Sequence, residues 1–181
     1  IRDDAGGRLA CDEPGEVCIE AVREGPWAFV YTPMLGYWRR PDATAQTVRE
    51  GRLHTGDVGR LDADGYLTIV DRKNLMILRG GANVYPAEVE RVLHEDARVE
   101  ACAVVGVPDE QWGEGAAAVV TLRGRAPGDD ALREALREHV RAVLRGSRIP
   151  SRVEFRDALP YNETGKLLRR EVRAWLTRET G

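Results

Sequence analysis

A chain of 181 residues with 43% hydrophobic content and a net charge of −3 has room for one domain or two small ones, and its composition excludes a disordered polyelectrolyte. No apolar run reaches the length of a membrane span. Cys11, Cys18 and Cys102 are too few and too irregularly spaced for a disulfide framework or a zinc site, which points to a reducing, cytoplasmic setting.

In chain order, residues 1–70 read as β structure with tight turns. Glu16-Val17-Cys18-Ile19 alternates polar and apolar as a half-buried strand does, and Trp27-Ala28-Phe29-Val30-Tyr31 is a second strand candidate. Pro41 to Val48 predicts a short helix with proline in its first turn. Asp62-Ala63-Asp64-Gly65 is a turn signal between Val58–Leu61 and Tyr66–Val70, which predicts a hairpin. At Asp71-Arg72-Lys73-Asn74 four polar residues interrupt two apolar runs, and the domain boundary is placed at Asn74. Met76-Ile77-Leu78 is a short strand candidate and Arg79-Gly80-Gly81-Ala82-Asn83 a loop. Pro86 to about Glu95 is a helix with Val89, Val92 and Leu93 on one face. Val99 to Val107 and Ala116 to Leu122 read as buried strands. Leu132, Leu136, Val140 and Val143 follow helical spacing within Asp129–Leu144. Val153 to Phe155 is a short strand, and Leu167 to about Arg178 a closing helix. The second part is therefore a mixed α+β pattern long enough for its own core.

Two lysines stand against twenty-five arginines. One is Lys166, in Pro160-Tyr161-Asn162-Glu163-Thr164-Gly165-Lys166. An ammonium on a flexible stem, delivered from a glycine-bearing loop, suits a reacting oxyanion better than a flat guanidinium does. The charge is uneven in the same direction: residues 1–70 and 71–122 each carry a net −4, residues 123–173 a net +5. The aromatic interleaving of a single-strand nucleic-acid binder is missing, so a small polyanion such as a nucleotide fits this balance better than nucleic acid.

Four segments stand in order: Gly36-Tyr37-Trp38; His54-Thr55-Gly56-Asp57 with Gly59 to Tyr66; Asp71-Arg72 through Gly80-Gly81-Ala82-Asn83-Val84-Tyr85-Pro86-Ala87-Glu88-Val89-Glu90; and Pro160 to Lys166. Together they resemble the carboxy-terminal portion of the adenylate-forming superfamily, which holds acyl-CoA synthetases, adenylation domains of non-ribosomal peptide synthetases and luciferase. The third segment is most similar to a fatty or aryl acyl-CoA ligase. The resemblance implies an α+β fold: residues 1–73 as the β-rich end of a large amino-terminal domain, then residues 74–181 as a small mixed α+β carboxy-terminal lid domain, with a hinge near Asn74.

It also implies a reaction and a set of roles. A carboxylic acid attacks the α-phosphate of ATP to give acyl-AMP and pyrophosphate, and the thiol of CoA then displaces AMP. Lys166 is the expected catalytic cation, Asp57 and Arg72 the expected nucleotide-binding pair, and Gly80 and Gly81 line the path of the pantetheine thiol. Tyr37 and Trp38 are expected to serve packing. Asn74 stands where the family usually has aspartate or lysine, and Arg79 where small serine is common. A cation at Arg79 would either steer CoA phosphates or narrow access. The family's phosphate-gripping loop, its Mg²⁺ ligands and its acyl pocket are not among these residues, so the chain reads as a fragment, inactive alone, whose partner is the missing amino-terminal domain. Two alternatives stand beside this: a fragment of an enzyme that loads an acyl carrier protein, and a free-standing, non-catalytic binding or regulatory module. A start at Ile1 rather than Met reads as a cut or processed end.

Overall fold

The computed structural model describes residues 1–28, 30 and 33–178, apart from the side chain of Arg125. The chain divides into two compact units, Ile1–Asn74 and Leu75–Gly181. Among the described residues no helix is long and apolar enough to cross a membrane.

The first unit is a four-stranded antiparallel sheet. Its strands are β1 (Gly15–Glu20), β2 (Val48–Arg49), β3 (Arg52–Leu61) and β4 (Leu67–Arg72), and the short helix α1 (Pro41–Thr47) precedes β2. Strand β3 is the centre, pairing with each of the other three. The predicted turn forms between β3 and β4. Asp62 Oδ1 accepts from the backbone N–H groups of Asp64 at 3.0 Å and Tyr66 at 2.8 Å, and Gly65 takes a φ of +87° that disfavours any other residue. The strand expected at 27–31 does not form where it is described: Trp27, Ala28 and Val30 lie in turns, and Phe29 and Tyr31 fall outside the described residues. Tyr37 and Trp38 are also exposed rather than packed, with Arg39 stacked over the Trp38 ring at 5.6 Å.

This unit has almost no core. Among its described apolar residues only Val58 is fully buried, whereas Leu35 is 95% exposed, Trp38 85%, and Trp27, Tyr66 and Ile69 are all open. So large an uncovered apolar and aromatic set is unusual for a free-standing sheet.

The second unit is built the opposite way. Its elements are β5 (Ile77–Arg79), β6 (Ala82–Val84), α2 (Pro86–His94), β7 (Val99–Asp109), β8 (Gly113–Leu122), α3 (Asp130–Val143), β9 (Arg152–Phe155) and α4 (Arg169–Arg178). Strand β8 pairs antiparallel with β7 along its length and with β5 at Gly113, and takes β9 in parallel along Ala117–Val120. Successive residues of β8 point to opposite faces. Ala116, Ala118, Val120 and Leu122 join α2 and α3 through Val89, Val92, Leu93, Leu136 and Val140. Ala117 and Val119 join α4 through Val172 and Leu176. Burial on both faces explains why β7 and β8 read as continuous apolar runs rather than alternating ones. Asp129 caps α3 by accepting from Leu132 N–H at 2.7 Å. The apolar stripe of α3 ends one turn early: Val143, its last residue, is 49% exposed, against the expectation from its spacing.

Strand β7 ends the sheet, and two charged side chains close its free edge. Glu90 of α2 accepts from Val104 N–H at 2.7 Å, and Arg169 of α4 donates to Val104 C=O at 2.9 Å. The two also meet in a bidentate pair, with Arg169 Nη2 2.8 Å from Glu90 Oε2. Helices from opposite faces are thus joined around the edge, and the edge backbone is satisfied at Val104.

Candidate functional site

In the first unit the structure brings two of the expected site residues together. Asp57 and Arg72 are cross-strand partners on β3 and β4, and Arg72 Nε donates to Asp57 Oδ1 at 2.9 Å. A bulge makes this pairing. From the turn upward Leu61 faces Leu67 and Gly59 faces Ile69; the register then shifts between Val58 and Gly59. Without that shift Asp57 would stand opposite Asp71, two like charges that destabilise a sheet. With it, Asp57 faces Arg72, and Asp71 turns its buried carboxylate to the Arg72 N–H at 2.6 Å. The pair is partly exposed, with one carboxylate oxygen engaged and the other without a hydrogen-bond donor among the described residues. It offers an acceptor and a donor side by side, a match for adjacent hydroxyl groups. Arg72 also lines an open cleft of about 490 Å³ with Tyr37, His54, Thr55, Gly56, Lys73 and Asn74.

Asn74 is exposed in a single 3₁₀ turn, Lys73–Leu75, and is the last residue of its unit. It does not use a left-handed conformation: among the described residues other than glycine, only Asp12, Arg39 and Glu50 have positive φ. The residue before it is held firmly. Lys73 Nζ lies 2.8 Å from Asp4 Oδ1 and 3.0 Å from Glu16 Oε2, and these partners raise its pKa, the hydrogen bond to Asp4 most of all. Sequence reasoning missed Lys73, although it is one of only two lysines.

Glu16, Cys18 and His54 have the composition of a metal site, with ligand atoms within 4.8 Å of one another. Cations of the protein already occupy their neighbourhood: Lys73 sits on Glu16, and Arg49 Nη2 is 2.9 Å from His54 Nδ1. Burial pushes Glu16 up, but hydrogen bonds from His54 and Lys73 outweigh it and leave the carboxyl lowered. Burial and the Glu16 charge both raise the Cys18 thiol above its ordinary value. The cluster therefore fits an ion-pair network better than a metal ion.

A second network surrounds Glu20, which accepts from Arg52 at 3.0 Å, Arg2 at 3.1 Å and Arg8 at 3.3 Å. The Arg52 hydrogen bond is the main cause that holds its carboxyl at about 2, under the ordinary 4.5. A pKa depressed by folding stabilises above the unfolded value and is lost as pH falls through the folded one. Acid should therefore release this network between pH 4.5 and about 2. The Glu20 carboxyl carbon, followed by NMR, is expected to titrate near the lower value; a midpoint at the ordinary one would show that the arginines do not hold it.

In the second unit, the segment 79–83 expected as a loop is a two-residue hairpin turn. Arg79 pairs with Ala82, and Gly80 and Gly81 have φ of +56° and +83°. Both glycines are required by this turn whatever else they do. Gly80 is further fixed by Trp112, to whose carbonyl it donates at 3.0 Å, and a Cβ at Gly80 would stand 2.6 Å from the indole Cε3. Arg79 is not free to reach a ligand: its Nη1 donates to the carbonyls of Ser147 and Ile149, both at 3.0 Å, and ties the glycine turn to the segment before β9.

Lys166 is exposed at the end of a small hairpin closed by a bridge between Tyr161 and Leu167. Its surroundings are less basic than a count of residues 123–173 suggests. Arg133, Arg137 and Arg141 of α3 each pair with an acid three residues earlier, and Arg148, Arg152, Arg169 and Arg173 pair with Glu88, Glu154, Glu90 and Glu114. Among the described residues no carboxylate pairs with Lys166. Cys102, by contrast, is buried and pushed up to about 12, which makes it inert at neutral pH.

Comparison with known proteins adds to this geometry. Residues 88–166 match the family described as the AMP-binding enzyme C-terminal domain. The chain is 49% identical over 162 residues to a feruloyl-CoA synthase of Amycolatopsis sp, covering 88% of this chain and 31% of that one. It is 45% identical over 171 residues to a long-chain-fatty-acid–CoA ligase of Salmonella typhimurium, covering 94% and 28%. Among solved structures, the amide bond synthetase McbA of Marinactinospora thermotolerans superposes with a TM-score of 0.80 at 42% identity, over 97% of this chain and 34% of that one. The chain thus spans about three-tenths of the length of the curated relatives it matches.

Proposed function

The chain belongs to the adenylate-forming superfamily, with residues 88–166 carrying the AMP-binding enzyme C-terminal domain, and from that premise we propose that it is the carboxy-terminal portion of an ATP-dependent acyl-CoA ligase. The observation that carries this reading is the 49% identity, over most of the chain, to an enzyme named for a CoA thioester. In the first step an oxygen of the substrate carboxylate bonds to the α-phosphorus of ATP and pyrophosphate leaves. In the second the CoA sulfur bonds to the acyl carbon and AMP leaves.

Lys166 supplies positive charge where the carboxylate and α-phosphate oxygens meet. Asp57 accepts from the ribose hydroxyl groups, with Arg72 donating beside it. Gly80 and Gly81 give the pantetheine arm a surface without side chains. Residues 1–73 are the end of the large domain and residues 74–181 the small one, with Asn74 the pivot and Lys73 clamping its near side. The uncovered face of the first unit, with Leu35, Trp38 and Ile69 open, is then the surface that the rest of the large domain covers. Mg²⁺ accompanies ATP and is held by that domain. Three free thiols and these two substrates suit the cytoplasm.

A second reading rests on the likeness to an amide bond synthetase: the same acyl-adenylate is handed to an amine. The carrier-protein alternative is weakened by the local pairing of the α3 arginines.

The test is an assay of the full-length protein with ATP and a panel of fatty and aryl acids. Pyrophosphate release is expected with at least one acid, followed by transfer to CoA; transfer only to an amine, or only to a carrier protein, would select another acceptor. No pyrophosphate with any acid would remove the ligase reading and favour a non-catalytic module. The 181-residue chain alone is expected to release none.

A further inference from the structure

The segment from Tyr161 to Lys166 is exposed throughout, so no core contact shapes it. One oxygen atom shapes it instead. Asn162 Oδ1 accepts from Thr164 N–H at 3.1 Å, from the Thr164 hydroxyl at 2.9 Å and from Lys166 N–H at 2.8 Å. The Asn162 backbone completes the ring: its N–H donates to Lys166 C=O at 3.0 Å, and its C=O accepts from Gly165 N–H at 2.9 Å. Gly165, at a φ of +77°, lets the chain turn back, and Leu168 N–H closes onto Pro160 C=O at 2.8 Å.

We infer that Asn162 is a positioning residue, which fixes the backbone from which the Lys166 side chain extends. The claim rests on the catalytic reading of Lys166 proposed above. Lysine has a long stem with many rotamers, and an exposed loop adds backbone freedom to that. Productive placement of a charge needs the starting point, at least, to be fixed. A short amide side chain reaching two and four residues ahead is suited to this, because asparagine bonds its own downstream backbone better than serine or threonine does. Alanine at 162 would free three donors at once. Serine would keep a shorter acceptor.

The test has two arms. In the 181-residue chain, Asn162→Ala is expected to speed amide exchange at Lys166 by about tenfold, as loss of one hydrogen bond implies, and Asn162→Ser by less, with the β8 amides Val119 and Val120 unchanged. In the full-length enzyme, Asn162→Ala is expected to lower the kcat of adenylation by about tenfold with little change in KM for ATP, Asn162→Ser to recover part of it, and Asn162→Ala to add nothing when Lys166 is already alanine. The inference is overturned if Asn162→Ala leaves both exchange and adenylation unchanged while Lys166→Ala abolishes the reaction. It is equally overturned if the two substitutions lower the rate independently. If Lys166→Ala is itself silent, the catalytic reading falls and takes this one with it, a result distinct from either.

Discussion

Replacing Lys166 by alanine in the full-length protein is expected, on the ligase reading proposed above, to cut acyl-adenylate formation by about 10²- to 10³-fold, the cost of one preorganised charged donor, and to leave thioester formation from supplied acyl-adenylate unchanged. The asymmetry follows from the chemistry. Negative charge concentrates on the α-phosphate and carboxylate oxygens while pyrophosphate departs, and a cation there lowers that barrier alone. The side chain is unpaired among the described residues, so its charge is not already spent on a neighbour, and its loss leaves no buried partner orphaned. The fold should therefore be intact, which β8 amide protection can verify. Arginine at 166 should restore little, because a flat fork cannot occupy the point that an ammonium does. Pyrophosphate release and thioester formation, measured separately, provide the check. Equal losses in both steps would assign Lys166 a general role in nucleotide binding instead.

The second large effect concerns stability. Glu90→Ala is expected to destabilise the second unit by about 3 kcal/mol, as breaking one partner of a mostly buried ion pair does. Three things are lost together: the bidentate carboxylate on the Arg169 guanidinium, the acceptor for Val104 N–H, and the join between α2 and α4 around the edge of β7. Glu90→Gln keeps the acceptor for Val104 and should lie between. Urea titration followed through the β8 amides measures the loss, and Val104 should be the first amide to lose protection. Because Arg169 opens α4 three residues after Lys166, the same variant should loosen the lysine hairpin. A destabilisation under about 1 kcal/mol would mean that the pair is as solvated as a surface one.

Most elements of this fold are legible in the sequence because each obeys a single period. Val89, Val92 and Leu93 mark α2, Leu136 and Val140 mark α3, and the apolar runs of β7 and β8 record burial on two faces. What is not legible depends on register. Asp57 and Arg72 are each conspicuous, but their pairing needs the bulge at Val58–Gly59; a glycine inside a strand marks such a place without giving the register it produces. The two residues of β2 are too few for any period. Glu90 and Arg169 are 79 residues apart and meet only because the sheet ends between them. Tyr37 and Trp38 are expected from their aromatic character to pack, yet both stand exposed; an aromatic ring favours burial but does not itself say where cover lies.

The central place of β8 has a consequence during synthesis. Its edge along Ala117–Val120 is filled by β9, and β9 is Arg152–Phe155, with α3 and two turns made in between. A growing chain therefore carries an open, apolar strand edge for the time needed to make about thirty residues, roughly two to six seconds at ordinary elongation rates. The amphipathic α3 emerges within that interval and can cover one face, but not the edge. Any premature stop between Leu122 and Arg152 would release a polypeptide whose most continuously buried strand is left open to pairing with another copy of itself.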